Sequence, residues 1–573
     1  MNIKQTITDA VSDAMFKASG EKFDPQVNYA GKPQFGDYQA NGCMTAAKKL
    51  KCNPREFAQK VLANLDLGEM AGKVEIAGAG FINIFLSDEW LVSRLGEMVG
   101  DERLGAGRAA DGPTVVVDYS GPNLAKEMHV GHLRSTIIGD ALARVLEFLG
   151  NRVVRQNHVG DWGTQFGMLL AHMHDMGEDS SASLSDLEGF YRDAKKRFDE
   201  DEDFARRARE TVVALQGGDE SCRAAWKRFL DISLGHCQQV YDKLGVGLDA
   251  SCVRGESSYN DDLPEVVNSL DAEGLLSESQ GARGVFLNEF TNKENEPAFI
   301  IVQKSDGGYL YATTDLAALR YRNGRLHAAR ILYVTDSRQA QHFAQVFTIA
   351  RKAGFVDEKI SLEHVPFGMM LGNDGRPFKT RTGGTVKLME LIEEARARAA
   401  ELVRQKNPEI AAAELEKIAD VVGIGALKYA DLSQNRASDY VFAWNKMLSL
   451  EGNTAPYMQY AYARVKSIFR KGGLESTAAC RFILADDVER TLGVKLLQFG
   501  ETLDAVAAAA MPNILCAYLF ELAGAFMSFY EKCPVLKADD AAVRVSRLAF
   551  CDLTAGVIRQ GLQLLGIATL EQM

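Results

Sequence analysis

Between residues 114 and 159 the hydrophobic pattern changes period twice. Thr114–Ser120 (TVVVDYS) is a nearly unbroken β-branched run, as expected of a strand buried on both faces. The turn residues Gly121-Pro122-Asn123 follow. Leu133, Ile137, Ala141, Val145 and Leu149 then recur every fourth position, which predicts a helix, and Gly150 stands where a helix C-cap belongs. Arg152–Val159 predicts a second strand. Strand, helix and strand in so short a stretch form a βαβ unit, the seed of a parallel sheet. The pattern returns later. Ile331–Asp336 leads into the helical QAQHFAQVFTIARKAG, and Leu362–Leu371 leads into the polar loop GNDGRPFKTRTGG.

The rest of the chain divides around these strands. Residues 1–110 mix helical patterns with the strand-like Phe81–Ser87 and end in the small-residue linker Gly105–Pro113, which predicts an α+β domain. Residues 111–385 carry the parallel strands, separated by an insertion at about 178–295. From 386 to 573 the pattern is helical and almost free of strands. The expected fold is therefore an α/β core flanked by an N-terminal α+β domain and a C-terminal all-α bundle.

Composition narrows the class. A chain of 573 residues exceeds what one hydrophobic core supports, and 46% hydrophobic with 25% charged residues is ordinary for globular domains. The first residues carry Asp9 and Asp13 and read as an amphipathic helix rather than a signal peptide. Ala505–Met527 is the most apolar segment. Pro512, Asn513 and Glu521 interrupt it, so it reads as a buried bundle helix with Pro512 in its first turn, and no membrane association is expected. Nine cysteines include no C-x-x-C pair and no zinc spacing, consistent with buried, reduced thiols and a cytoplasmic location. The net charge of −12 argues mildly against nucleic acid, although a basic groove can sit on an acidic protein. Five consecutive acids at 199–203 read as a solvated helix end or loop.

The chemistry concentrates in SGPNLAKEMHVGHLRST, Ser120–Thr136. His129 and His132 permit three readings. A metal site would need a third ligand and a general base, as in H-E-x-x-H, and neither is present, so no protein-held metal is expected. Polar packing at a helix start is the second. The third is a nucleotide site: the motif falls at the carboxyl end of a strand and the N-terminus of a helix, where ligands and anions bind.

This segment resembles the HIGH motif of class I aminoacyl-tRNA synthetases. Its flank PNLAK, together with NHVGDWGTQFG (157–167), YLYATTDLAALRYR (309–322), YVTDSRQAQHF (333–343), PFKTRTGGTVKL (377–388) and EGNTAPYMQYAYAR (451–464), is similar to the arginyl-tRNA synthetase family in particular. NPREFA and GAGFINI extend the resemblance into the N-terminal domain, so it spans most of the chain in family order. It implies a Rossmann-like catalytic core and a two-step reaction. The arginine carboxylate attacks the α-phosphorus of ATP, and the arginyl group then passes to the terminal ribose of arginine tRNA. Mg2+ is expected to accompany ATP. The family is usually monomeric.

The resemblance also implies site residues. His129 and His132 support the ATP phosphates, Gly131 admits the adenosine, and Pro122, Asn123 and Lys126 complete the ATP site. The loop FKTRT departs from the KMSKS pattern of many class I enzymes: Phe378 takes its first lysine position. Lys379 and Arg381 bring positive charge to the pyrophosphate, and Lys126 compensates for the lost lysine. Tyr311 and Asp315 read the guanidinium, with Glu256 as a further acid. Asp118, Asn123 and Gln339 hold the amino-acid part. Phe81 and Asn83 meet the outer corner of the tRNA. Tyr460, Arg464 and the terminal Met573 belong to the anticodon pocket. A small-molecule adenylyltransferase would explain the histidines but leave the helical domain idle; a non-catalytic tRNA-binding relative would have lost them. A class I synthetase for another amino acid is opposed by Asp315 and Tyr311 together.

Overall fold

The βαβ pattern at 114–156 forms the centre of a four-stranded parallel sheet in a computed structural model describing residues 2–177, 186–292, 295–378, 386–473 and 481–572. In chain order the elements are β1 (Thr114–Asp118), α1 (Val130–Phe148), β2 (Arg152–Gln156), α2 (Tyr311–Gly324), β3 (Arg330–Tyr333), α3 (Ala340–Lys352) and β4 (Ser361–His364). The strand order is β4-β3-β1-β2. Asp118 aligns with Gln156 on one side and Tyr333 on the other. The connections leave β1 and β3 in opposite directions, so the crevice beyond their carboxyl ends is the topological switch point where open α/β sheets bind ligands.

The strands are shorter than their apolar runs. β2 stops at Gln156 because Asn157–Gly160 turns back towards Asn123, with Gly160 donating to the Pro122 carbonyl. β4 stops two residues before Pro366, whose nitrogen cannot donate to a ladder. Within the stretch read as an insertion the described residues form four α-helices, Leu187–Glu200, Glu202–Gly217, Glu220–Leu244 and Leu263–Ala272, then an antiparallel sheet of Leu276–Ser279, Ala282–Thr291 and Pro297–Gln303. The expected boundary at 295 falls inside its last hairpin. The acidic run spans a helix junction, where Asp201 ends one helix and its side chain caps the next.

Two compact units emerge where the sequence pattern gives three segments. One is Ala110–Leu448 with Leu565–Ile567; the other joins Met1–Ala109 to Ser449–Leu564 and Ala568–Met573. The stem helices Leu388–Lys406 and Ala412–Leu432 pack with the parallel sheet's unit, so that unit continues past residue 385. α1 is tied to them by Arg134, only 2% exposed. It pairs with the buried Asp431 at 3.0 Å and donates to the carbonyls of Gly368 and Ser438. Arg134→Met leaves Asp431 buried without its cation. We expect a loss of about 3–5 kcal/mol in thermal or urea unfolding, and partial recovery when Asp431 is made Leu as well.

In the second unit the N-terminal sheet and the C-terminal helices share a core. Arg490 forks onto Asp37 at 2.9 Å and onto Asp88 at 2.8 Å, and Glu501 accepts from Tyr38 at 2.8 Å. The helical patterns of the N-terminal segment include two neighbouring helices, Gly42–Leu50 and Pro54–Asn64, the second capped by Asn53 with Pro54 in its first turn. Asn513–Lys532 buries Leu515, Leu519, Leu522 and Phe526 along one face. Pro512 precedes that helix as its cap. By length and composition the helix could cross a membrane; its buried face is that of a core helix. The described cysteines are all free, but not all are buried: Cys52 is exposed, and Cys222 and Cys252 are partly so.

Candidate functional site

The turn after β1 is built before any ligand arrives. Ser120 holds a left-handed backbone (φ 71°), unusual for a residue with a side chain. Its N–H donates to Ser135 Oγ at 2.9 Å, and Ser135 in turn donates to the Val334 carbonyl after β3. Thr136 bonds Ser120 Oγ, which also meets the Tyr241 hydroxyl at 2.8 Å. Asn157 accepts from Gly121 and donates to that same hydroxyl. Residues two turns into α1 thus stitch together the carboxyl ends of β1 and β3, and a helix of the insertion locks them. None of these four stood out in the sequence.

His129 and His132 open α1 as a reciprocal cap. His129 Nδ1 accepts the Gly131 N–H at 3.0 Å, and His132 Nδ1 accepts the His129 N–H at 3.0 Å. Gly131 is required here, since a Cβ would sit 2.8 Å from the His129 ring. Burial, with Lys126 nearby, pushes His129 below the ordinary histidine range; burial and His129 bring His132 down to about 3. Both rings are therefore neutral at neutral pH. A neutral imidazole that accepts at Nδ1 carries its proton on Nε2, so each has an N–H to donate.

Those rings line a cavity of about 510 Å³ at the switch point, together with Asp118, Gly131, Glu256, Tyr311, Asp315 and Gln339. Eight of the expected site residues thus meet in one place. Tyr311 starts α2 and is 66% exposed; Asp315 lies one turn on. Glu256 sits at the start of a 3-10 turn, and its carboxyl is pushed up to about 8 by burial and by Asp161 and Asp315. Four acids line the cavity; Asp118 pairs with Arg322 and Asp336 with Arg338, while Glu256 and Asp315 have no guanidinium partner among the described residues, as suits a cationic substrate.

For several of the expected residues the structure adds contacts that the sequence did not show. Asp118 reaches the cavity with one carboxylate oxygen engaged, because Oδ2 accepts from the fully buried Arg322 of α2 at 2.6 Å. Pro122, Asn123 and Lys126 lie on the approach loop and are not part of the cavity wall. Asn123 Oδ1 caps its own turn through the Ala125 N–H, and Lys126 Nζ rests 4.3 Å from the centre of the Tyr191 ring, supplied by the insertion. Asn83 is fully buried, and its side-chain oxygen accepts from Gln39 in the neighbouring strand; Phe81, two residues earlier, is half-buried.

Lys379 and Arg381 lie outside the described residues, as does Met573. Both flanks of the FKTRT loop are held: Phe378 donates to the Met370 carbonyl, while Val386 and Leu388 exchange hydrogen bonds with Val130 and Met128. The chain beyond the loop is therefore bonded directly to the histidine motif.

In the other unit, Tyr460, Arg464, Arg470, Lys471, Tyr530 and Lys537 line a cavity of about 800 Å³. The Arg464 guanidinium lies 4.7 Å from the Tyr530 ring and 6.0 Å from that of Tyr460. Cations interleaved with aromatic rings suit single-stranded RNA, whose bases stack and whose phosphates need countercharge. Gln572 reaches the same cavity, and Gln459, one of the motif residues, is buried and holds the tail through the Ala568 carbonyl.

The switch-point sheet and its histidine cap match the family model described as tRNA synthetases class I (R), catalytic domain, over residues 95–444. The models described as arginyl tRNA synthetase N terminal domain and DALR anticodon binding domain match 1–86 and 458–573. The arginine–tRNA ligases of Hahella chejuensis and Haemophilus influenzae (strain PittEE) are 58% and 56% identical, each over all of both chains. The solved arginyl-tRNA synthetase of Plasmodium falciparum superposes with a TM-score of 0.86 at 30% identity, covering 100% of this chain and 99% of that one. That of Thermus thermophilus gives 0.83 at 25%, covering all of both. The chain belongs to the arginyl-tRNA synthetase family, the class I enzymes that ligate arginine to tRNA with ATP.

Proposed function

We propose that this chain makes arginyl-adenylate in the switch-point cavity and transfers the arginyl group to arginine tRNA, releasing AMP and diphosphate. One observation carries the reading: two neutral imidazole donors and a group of carboxylates line the same cavity. The donors suit the phosphates of ATP, and Asp315, Tyr311 and Glu256 suit a guanidinium, which is always charged and best met by carboxylates. Asp118, through its free oxygen, and Gln339 orient the amino-acid part. Asn123 shapes the loop on which ATP lies, with Pro122 and Gly131 leaving room beside it.

No covalent enzyme intermediate is needed, so catalysis rests on positioning and on charge stabilisation. As the carboxylate attacks the α-phosphorus, negative charge grows on the phosphate oxygens, where the Nε2 protons of His129 and His132 donate. Lys126 leaves its ring contact with Tyr191 to meet the phosphates, joined by Lys379 and Arg381. Mg2+ arrives with ATP and spreads the same charge. The basic aromatic cavity takes anticodon bases, with Tyr460 and Arg464 stacking and the terminal Met573 as a further tRNA contact, while Phe81 offers a stacking face to the outer corner of the tRNA. The enzyme works as a cytoplasmic monomer.

Pyrophosphate exchange with ATP and each amino acid in turn, with and without arginine tRNA, tests the reaction. Exchange is expected with arginine alone among the amino acids. Its absence with arginine under both conditions would refute the reading.

A further inference from the structure

The acid assigned to the guanidinium already has a partner that the mechanism does not use. From the first turn of α3, His342 Nε2 lies 2.6 Å from Asp315 Oδ2, and both residues line the switch-point cavity. The His342 ring also packs edge-on against Phe343, at 5.3 Å between centres, which steadies its orientation. We propose that His342 is a positioning residue for arginine recognition: it holds one oxygen of Asp315 so that the other is presented to the guanidinium, and it gives up a proton to solvent when arginine binds.

The geometry supplies the first half. A carboxylate on a short side chain can rotate, and fixing one oxygen with a donor on a neighbouring helix removes that freedom before the substrate arrives. α2 carries the acid and is itself held by the Arg322–Asp118 pair; α3 carries the imidazole. The specificity group thus rests on two helices at once.

Electrostatics supply the second half. Burial lowers the imidazole's proton affinity, but the hydrogen bond and charge of Asp315 outweigh it and hold the ring above the ordinary histidine range. The other charged and titratable groups around the cavity are Glu256, Tyr311, Tyr119, Asp118, Asp336 paired with Arg338, and His129, His132 and His158. Apart from burial, Asp315 is what moves His342. In the empty site Asp315 favours the protonated form of His342, whose charge offsets the acid. An arriving guanidinium brings a second cation to the same carboxylate, and like charges disfavour each other, so the imidazole's proton leaves while its Nε2–H stays on Oδ2. Arginine binding therefore tightens as pH rises through the His342 titration. Glu256, held near 8, must also ionise to meet arginine and acts in the same direction, so the comparison needs a variant that keeps Glu256 and removes only the histidine charge.

The inference rests on Asp315 being the guanidinium acid, and the test separates the two. In the full-length enzyme, His342→Ala is expected to raise the arginine KM about tenfold, with the ATP KM within twofold. His342→Gln, whose amide nitrogen can occupy the Nε2 position, is expected to restore the arginine KM to within about threefold at pH 8. Titration calorimetry of arginine in two buffers of different ionisation enthalpy should show fewer protons released by His342→Gln than by wild type near pH 7. An unchanged arginine KM in His342→Ala overturns the positioning role. Equal proton release by His342→Gln and wild type overturns the exchange. Asp315→Asn distinguishes the levels: if it too leaves the arginine KM unmoved, the pocket assignment itself fails, whereas a large effect there with none at His342 defeats this inference alone.

Discussion

Asp315→Asn is expected to raise the arginine KM by about two orders of magnitude while leaving the ATP KM within about twofold. Asparagine keeps the size and one acceptor oxygen, so the change removes charge and little else. What is lost is a charge-assisted bond to a guanidinium in a half-open cavity, and breaking a buried pair costs about 3–5 kcal/mol. Because one side of the cavity opens to water, the lower end applies, and about 3 kcal/mol corresponds to roughly a hundredfold. Glu256 offers a second carboxyl in the same cavity and keeps the loss from being total. ATP is spared because the groups assigned to it, His129 and His132, lie on α1's N-terminus. Steady-state kinetics with arginine and ATP varied separately measure both effects. A threefold change or less in the arginine KM would take Asp315 out of the recognition site.

His132→Ala is expected to cut the rate of adenylate formation by about a hundred- to a thousandfold, the size found when one preorganised donor to a developing oxyanion is removed. The ring has two jobs. Its Nδ1 takes the His129 N–H, fixing where α1 begins, and its Nε2–H remains for the phosphates. Loss of the first job costs about 1 kcal/mol of stability, as other helix caps do, so the variant stays folded and melts only slightly earlier. Loss of the second appears in single-turnover adenylate formation. Since the ring is held near 3, its neutral form is the working one, and wild-type adenylation at saturating arginine should show no step from His132 between pH 6 and 8. A variant within tenfold of wild type would leave the ring with a structural task only.

The difference between what the chain reveals and what the fold adds follows from sequence distance. β1, α1 and β2 are legible because their periodicities are local, and the pair of histidines at the mouth of α1 is legible because His129 and His132 share one turn. Tyr311 and Asp315 likewise share a turn. His342 lies 27 residues from Asp315, in a helix whose pattern shows only an apolar stripe, so its role depends on α2 and α3 lying side by side. The shared core of the N-terminal sheet and the C-terminal helices depends on pairs such as Arg490 with Asp37 and Tyr38 with Glu501, 453 and 463 residues apart. Local pattern carries no trace of these. Asn83 shows the same limit: register places it opposite Gln39 inside the sheet, a contact that no local pattern announces.

α2 offers a route to redesign. The face proposed to read the guanidinium (Tyr311 and Asp315) and the helix's anchor to the sheet (Arg322) are separate stretches of one rigid rod, and the histidines proposed as phosphate donors belong to a different helix. Substrate choice can therefore be edited at residues 311, 315 and 342 without disturbing either the anchor or the adenylation chemistry. Insertions or deletions between 316 and 321 are another matter. Each added or removed residue turns the anchor by about 100° relative to the reading face. A library aimed at a new amino acid should vary side chains at the tip and keep the length of the rod constant.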